Sequence, residues 1–187
     1  MQKRSHTLLA RTLLERTEGF PKKRFELAFL FGSFQPDCNP LSYLKGSRRG
    51  KTLMGHNFSN SQRYIHRRIC RLQHRDHWNI WQYYTLGKLT HYLADAFTFP
   101  HNETYPDSLQ EHRRYESQLR EQLIRRIGDC RCLSVRSQQD LSGALDRLHR
   151  QYLGTVSCLQ RDIDYILEAT SLLMASLLPE PAVTGNR

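Results

Sequence analysis

The chain has 187 residues, 39% of them hydrophobic, and a formal net charge of +10 at pH 7. This length is sufficient for a hydrophobic core, and no apolar run approaches the roughly 18 residues that a membrane span requires. The positive charge favours an anionic partner, whether nucleic acid, a phospholipid surface or a phosphorylated substrate. Because the charge is widely spread, solubility alone is an equally good explanation of it.

Two features bear on the compartment and the domain organisation. The N-terminal stretch begins with basic residues like a signal peptide, but Arg11 and Glu15 interrupt its apolar side chains, which favours a helix over a cleaved signal. The five cysteines are scattered and odd in number, which suits a reducing environment. We therefore expect a cytoplasmic protein with a single domain over residues 1–179 and a flexible tail over residues 180–187.

Apolar residues recur at helical spacing almost throughout, and no strand pattern or internal repeat is visible. The first helix should end near Thr17. The second should run from Lys22 to Phe31, with Gly32 as its C-terminal cap. Residues 33–59 are predicted to be irregular, and long loops inside compact domains are often functional.

Helical patterns return in the second half of the chain. Helices are expected over residues 60–72, 78–97, 108–127, 140–153 and 159–178. Asn60 or Ser61 should cap the first of these and Asp76 the second, while Ser108 begins a capping-box spacing. The sequence therefore predicts an all-α fold with six or seven helices.

Two histidine–carboxylate pairs point to a metal centre. His91 and Asp95 are four residues apart, so on a helix they project from one face. His112 and Glu116 repeat this spacing on the next predicted helix. Neutral imidazoles and carboxylates that point inward are the ligands that zinc prefers. Asp95 also lies in an apolar sequence, where an unpaired carboxylate would be costly.

Further candidate ligands surround these pairs. Pro100 should end the first helix and turn the chain, so that the two helices meet with His101 at the corner. His6, Asp37 and His56 lie nearer the N-terminus, with Asp37 in the predicted loop after helix two. Because one zinc ion takes about four ligands, eight candidates imply two or three ions. Clusters of this kind serve phosphate-ester hydrolysis.

Other histidines and other metal folds are less informative. Four histidines lie in arginine-rich sequence that is typical of a solvated surface, and they are expected to be surface or hydrogen-bonded side chains: His66, His74, His77 and His149. The chain has neither the Glu-x-x-His pairs of di-iron bundles nor the His-Glu-x-x-His motif of metalloproteases. An adjacent His-Asp pair, the mark of one family of helical phosphohydrolases, is also absent.

The candidate ligands resemble those of the zinc-dependent phospholipases C, whose superfamily includes the single-strand-specific zinc nucleases. The family pattern is an aspartate, a histidine, His-x3-Asp-x5-His and then His-x3-Glu. This chain has Asp37, His56, His91-x3-Asp95-x5-His101 and His112-x3-Glu116. The closing glutamate resembles the phospholipase branch, since the nuclease branch has aspartate there. The segments around Asp37 and His91 are also similar to a group of small bacterial phospholipase-C-like proteins.

The resemblance implies a compact multi-helix bundle with a polynuclear zinc site. One ion would be bound by Asp37, His56, His91 and Asp95, and a second by His101, His112 and Glu116. Asp95 would bridge to a third ion, which also takes His6. In secreted family members the amine and carbonyl of an N-terminal tryptophan bind that third ion, whereas this chain has Met1 ahead of His6.

The implied function is zinc-dependent hydrolysis of a phospholipid or related phosphodiester by metal-activated water. Asp37 is the candidate for orienting or deprotonating that water. Contact with a membrane surface would be peripheral. Two alternatives stay open: a single-strand nuclease or other phosphoesterase on the same scaffold, which the basic charge supports, and a non-catalytic metal-binding module.

Overall fold

The computed structural model describes residues 1–38, 58–102, 109–129 and 136–178, with no strand among them. The α-helices of this part are α1 (Lys3–Glu15), α2 (Lys23–Cys38), α3 (Phe58–Gln73), α4 (Ile80–Ala96), α5 (Leu109–Asp129), α6 (Leu141–Leu153) and α7 (Leu159–Leu177). A 3-10 turn, Phe99–His101, follows α4. The predicted all-α fold is confirmed. None of the helices described is long and apolar enough to cross a membrane.

α4 is the central helix of the bundle. From Leu89 to Ala96 every one of its residues is buried, and it packs against α1, α2, α3 and α7. A helix that is enclosed on all sides is usually apolar all round, and the buried side chains of Thr90, His91 and Asp95 depart from that rule. The predicted cap at Asp76 is wrong, because the side chain of Asn79 accepts a hydrogen bond from the Trp81 N–H at 2.8 Å. One hydrophobic core takes side chains from all seven α-helices.

α2 continues further than the sequence predicts. It passes through Gly32 and ends at Cys38, so the prediction that Gly32 caps the helix is wrong, and Asp37 lies in the last turn of a helix rather than in a loop. Pro36 lies inside this last turn, where the missing N–H costs one hydrogen bond at the helix end. As a result, the Asp37 side chain is held on a regular element.

Gly32 is needed for the packing of α2 on α4. A Cβ atom at Gly32 would lie 2.2 Å from the Tyr84 carbonyl oxygen. Gly87 is its counterpart on α4, where a Cβ atom would lie 2.1 Å from the Phe29 carbonyl oxygen. Real Cβ atoms do not approach backbone this closely, so the two glycines allow a close backbone crossing. That crossing sets the position of α2 relative to the ligand-bearing end of α4.

The last two helices agree with the sequence prediction. Asp140 caps α6 by accepting a hydrogen bond from the Gly143 N–H at 2.9 Å. α7 begins after Cys158 and ends within one residue of its predicted end. The predicted capping residue of α5, Ser108, and the predicted tail over residues 180–187 lie outside the described residues.

Candidate metal centre

Asp95 lies at the centre of the predicted ligand set. It is fully buried near the end of α4. Its Oδ2 is 3.3 Å from the Nε2 atom of His91, one helical turn earlier. Its Oδ1 is 3.2 Å from Nε2 of His6 on α1 and 3.9 Å from Nε2 of His101 in the 3-10 turn. Three elements therefore direct imidazole nitrogens towards one carboxylate.

The first cluster is formed by His6, His91 and Asp95. All three are buried, and one potential ligand atom from each lies within 4.8 Å of the others. The His6 and His91 rings stack with their centroids 3.9 Å apart. The Nδ1–H of His91 donates a hydrogen bond to the Ser33 carbonyl oxygen at 3.0 Å. This bond fixes the ring and leaves its Nε2 lone pair facing Asp95, as metal-binding histidines require.

Asp37 borders the first cluster on its more open side. Its Oδ1 lies 3.7 Å from Nε2 of His91 and its Oδ2 lies 3.9 Å from Nε2 of His6. The Asp37 side chain is 14% exposed, against 1% for Asp95. The two carboxylates therefore differ in access to solvent, although both face the same pair of imidazoles.

The second cluster is formed by His101, His112 and Glu116, whose ligand atoms also lie within 4.8 Å of one another. Oε1 of Glu116 is 3.1 Å from Nε2 of His112, one turn earlier on α5, and 3.2 Å from Nε2 of His101. Helical spacing brings His112 and Glu116 together. The 3-10 turn adds His101 at the corner, where the sequence places it.

The Met1 amino group lies between the two clusters. Its nitrogen is 2.5 Å from Asp95 Oδ1, 2.8 Å from His101 Nε2 and 3.0 Å from Glu116 Oε1. Burial opposes its charge, but the carboxylates of Asp95 and Glu116 outweigh burial and raise the pKa of the amino group to about 10. The space between the clusters therefore accommodates a cation.

The local charges keep the candidate ligands in the protonation states that metal binding needs. Burial by itself would raise the pKa values of Asp95 and Glu116, but the Met1 amino group and the adjacent imidazoles hold both well below their usual range. Burial and the same amino group lower the pKa of His101. Ionised carboxylates and a neutral imidazole are the forms that coordinate metal.

The His6 side chain tests whether these residues fit a metal ion. It is only 1% exposed, and although its Nε2 lies 3.2 Å from Asp95 Oδ1, neither ring nitrogen has the geometry of a hydrogen bond within the part of the chain described here. A buried polar group without a partner costs about 1–3 kcal/mol. A metal ion beside Nε2 would use the unsatisfied lone pair. Together with the imidazole and carboxylate donors nearby, this fits a zinc ion.

The structure brings together seven of the eight predicted ligands: His6, Asp37, His91, Asp95, His101, His112 and Glu116. The eighth, His56, lies outside the described residues. The Ser33 carbonyl oxygen was not predicted from the sequence, because a backbone acceptor leaves no signal in the side-chain pattern. The other histidines considered in the sequence lie away from the centre.

His149 corrects one of those expectations. His74 and His77 are exposed as expected, and His66 contacts Asp146 at 3.0 Å. His149, in contrast, is 5% exposed, and its Nε2–H donates to the Ala96 carbonyl oxygen at 3.2 Å. It is hydrogen-bonded as predicted, but its arginine-rich sequence wrongly indicated a solvated side chain. The flanking arginine Arg150 is on the exposed side of α6, while His149 faces the core.

Comparison with known proteins agrees with this arrangement of residues. No curated protein and no solved structure matches the chain. A family model described as zinc dependent phospholipase C matches residues 5–159, a stretch that contains both clusters and every predicted ligand. The match covers most of the chain, and the all-α fold is that of the family. The chain therefore belongs to the zinc-dependent phospholipase C family.

Proposed function

We propose that the protein is a zinc-dependent phosphoester hydrolase that cleaves a phospholipid or related phosphodiester in the manner of a phospholipase C. The main support is the pair of buried imidazole–carboxylate clusters around Asp95, in a chain of this family. Zinc would be held by Asp37, His56, His91 and Asp95 at one position, by His101, His112 and Glu116 at a second, and by Asp95 with His6 at a third.

Zinc bound at these positions would supply Lewis-acid chemistry, which lowers the pKa of water and neutralises charge on phosphoryl oxygens. The protein's own contribution starts with Asp37. This carboxylate combines proximity to His6 and His91 with access to solvent, so it is placed to orient a water molecule and accept its proton. The fully buried Asp95 has no such access and acts as a fixed negative charge that holds the clusters together.

An exposed aromatic face favours phospholipid over other phosphodiesters. The face is formed by the exposed Phe31 and Trp81 and the half-buried Phe34 and Tyr84, which contact one another in a chain from α2 to α4. Phe31 is 53% exposed and Trp81 67%. Aromatic side chains at this level of exposure suit the interfacial zone of a bilayer.

Cations border this aromatic face. The Lys3 Nζ atom lies 4.7 Å from the Phe34 ring centre and the Lys88 Nζ atom 5.8 Å from the Tyr84 ring centre. Phe31 precedes Asp37 on α2 by six residues, which is about 9 Å along a helix axis. A basic, aromatic surface so close to the candidate site supports peripheral contact with an anionic membrane.

The proposal is tested by metal analysis followed by two activity assays on one preparation. The purified chain should contain at least two zinc ions and should release phosphorylated headgroup from phosphatidylglycerol-containing vesicles. That release should fall as salt rises, because the attraction to the vesicle is screened. Single-stranded DNA and RNA are offered in parallel. Cleavage of nucleic acid without lipid cleavage would indicate that the protein is a nuclease instead. Bound zinc with neither activity would favour a non-catalytic metal-binding module.

A further inference from the structure

Asp162, in the first turn of α7, is a fully buried carboxylate outside the predicted ligand set. Its Oδ2 accepts hydrogen bonds from the Phe99 backbone N–H at 2.7 Å and from the Tyr115 hydroxyl at 2.8 Å. Its Oδ1 accepts one from the Tyr152 hydroxyl at 2.9 Å and two from the Arg161 guanidinium, at 2.8 and 3.2 Å. Donors from four separate elements converge on one side chain.

Both partners of Oδ2 adjoin predicted ligands. Phe99 opens the 3-10 turn that ends with His101, and Tyr115 immediately precedes Glu116 on α5. Oδ2 therefore connects the two elements whose side chains meet at 3.2 Å, His101 Nε2 to Glu116 Oε1. A shift of either element would separate these two atoms. The hydrogen bonds on Oδ2 oppose that shift.

The partners of Oδ1 lie on helices that carry no predicted ligand. Tyr152 belongs to α6 and Arg161 to α7, and the guanidinium carbon of Arg161 lies 4.1 Å from the Tyr152 ring centre. Arg161 balances the buried charge, which would otherwise be costly. Burial and the Asp162 charge raise the pKa values of Tyr115 and Tyr152, so both hydroxyls keep their protons and donate.

We propose that Asp162 is a positioning residue for the cluster of His101, His112 and Glu116. It fixes the 3-10 turn and α5 relative to each other, so that their side chains meet at one ion. The inference rests on the proposed function, since it takes this cluster to bind zinc. Asp162 lies beyond residues 5–159, the stretch that the family model matches. Loss of a group that hydrogen-bonds directly to a metal ligand typically lowers metal affinity roughly 10- to 100-fold. Asp162 acts through Phe99 and Tyr115, which adjoin predicted ligands in the chain, so we expect the lower end of that range.

The test uses two tyrosines that each donate one hydrogen bond to the same carboxylate. Tyr115→Phe removes the bond to Oδ2 on the ligand side, and Tyr152→Phe removes the bond to Oδ1 on the other side. The full-length parent and both variants are stripped of metal and titrated with Zn²⁺ against a chromophoric chelator. They are also titrated with Co²⁺, whose visible absorption reports the coordination geometry. Thermal unfolding of the metal-free proteins measures the structural cost of each change.

Tyr115→Phe is expected to weaken one zinc site by roughly tenfold and to alter the Co²⁺ absorption of that site. Tyr152→Phe should leave zinc affinity within about twofold of the parent. Both tyrosine variants should lower the Tm of the metal-free protein by a similar amount, on the order of a few degrees, since each loses one hydrogen bond. Asp162→Asn should resemble Tyr115→Phe with a larger loss; if it fails to fold, the two tyrosine variants decide the question.

Equal zinc affinity in the two tyrosine variants, whether lowered or not, would overturn the inference, because Asp162 would then be a structural carboxylate only. That result would leave the proposed function intact. A parent that takes up no Zn²⁺ in the same titration would overturn the proposed function, and the inference with it. The two failures are therefore distinguishable in one experiment.

Discussion

The predicted ligands differ from the other histidines in what surrounds them. His91 and Asp95 are buried against each other, whereas His74, which directly follows α3, is exposed and donates its Nδ1–H to the Cys70 carbonyl oxygen at 2.7 Å. Asp95→Asn removes a charge that lies close to imidazoles of both clusters, and His101→Ala removes a predicted ligand. We expect either change to lower hydrolysis of a chromogenic phosphodiester at least 100-fold. His74→Ala should keep the activity of the parent, and equal loss in all three variants would contradict the ligand assignment.

His149 gives a pH-dependent prediction that is separate from the metal. Burial lowers its pKa from the ordinary 6.5 to about 4. The unfolded chain therefore binds a proton between these pH values that the folded chain does not, so the stability from neutral His149 is present above pH 6.5 and declines as the pH falls towards 4. The full difference between the two pKa values corresponds to a loss of roughly 3 kcal/mol in the free energy of unfolding.

His149→Gln checks this prediction, since glutamine can still donate to the Ala96 carbonyl oxygen but does not titrate. The free energy of unfolding of the parent should decline more than that of the variant between pH 7 and pH 4.5, as measured with chemical denaturant in the presence of chelator. Parallel pH profiles would show that His149 is not held neutral. Activity at neutral pH should survive the change.

The sequence predicted the ligand pairs better than their surroundings. The spacing of His91 and Asp95 has geometric meaning once a helix is assumed, so the pattern alone indicated that both share a face. Nothing comparable marked Asp162, because an acidic residue in the first turn of a helix is common for reasons of the helix dipole. The orientation of His149 was missed because it depends on how α6 packs, which its neighbours in sequence do not encode.

Among the helices, the crossing of α2 and α4 depends on the absence of side chains at two positions. Gly87→Ala would place a methyl group 2.1 Å from the Phe29 carbonyl oxygen, and a backbone atom cannot move aside cheaply. We expect a loss of about 2 kcal/mol or more in stability, with reduced zinc affinity because α2 carries Asp37. Thermal unfolding and zinc titration measure the two effects.

Gly128→Ala is the matched control for this prediction. Gly128 also lies within a helix, near the end of α5, but a Cβ atom there would meet no atom of the described residues within 4 Å. The change should leave stability within about 1 kcal/mol of the parent or raise it, since alanine is the better helix former. Equal destabilisation by both substitutions would argue against a close crossing.

The same crossing explains why the end of α2 was mispredicted. A glycine after an apolar helical segment is typical of a C-terminal cap, and Pro36, which follows Gly32 closely in the sequence, strengthens that interpretation. Glycine also occurs where two backbones touch, and the sequence alone does not separate the two uses. The start of α6 was predicted closely because the side chain of Asp140 caps the helix directly, which is a local signal in the sequence.

For the molecule as a whole, the metal is expected to stabilise the fold. The predicted ligands come from α1, α2, α4, the 3-10 turn and α5, so a bound ion would tie together elements that separate on unfolding. Free zinc at about 1,000 times its dissociation constant stabilises by roughly 4 kcal/mol, which for this chain length shifts the Tm by roughly 10 °C.

A chelator should therefore lower the Tm of the zinc-loaded protein by several degrees, and added zinc should restore it. The Asp95→Asn variant is the control, since a chelator should change its Tm much less. If the parent's Tm responds to neither chelator nor zinc, the ligand residues do not hold a metal. Scanning calorimetry of both proteins, with and without chelator, makes the comparison.

The all-α architecture was predictable from the sequence because the apolar period is strong in nearly every helix. What the sequence could not provide was the distance between elements. The position of His6 relative to Asp95 depends on how α1 docks, and that contact spans most of the first half of the chain. In the sequence, only the resemblance to a family placed His6 and Asp95 in one site.

The two clusters differ in how far apart their members lie along the chain, which has a consequence for the order of folding. His101, His112 and Glu116 are close in sequence, so their cluster needs only a short loop to close. The cluster of His6, His91 and Asp95 forms only when α1 packs against α4. This contact joins residues that are far apart in sequence, and we therefore expect it to form slowly. During synthesis the His6 imidazole leaves the ribosome well before its partners exist. We expect the cluster of His101, His112 and Glu116 to assemble first and the cluster of His6, His91 and Asp95 to assemble after it.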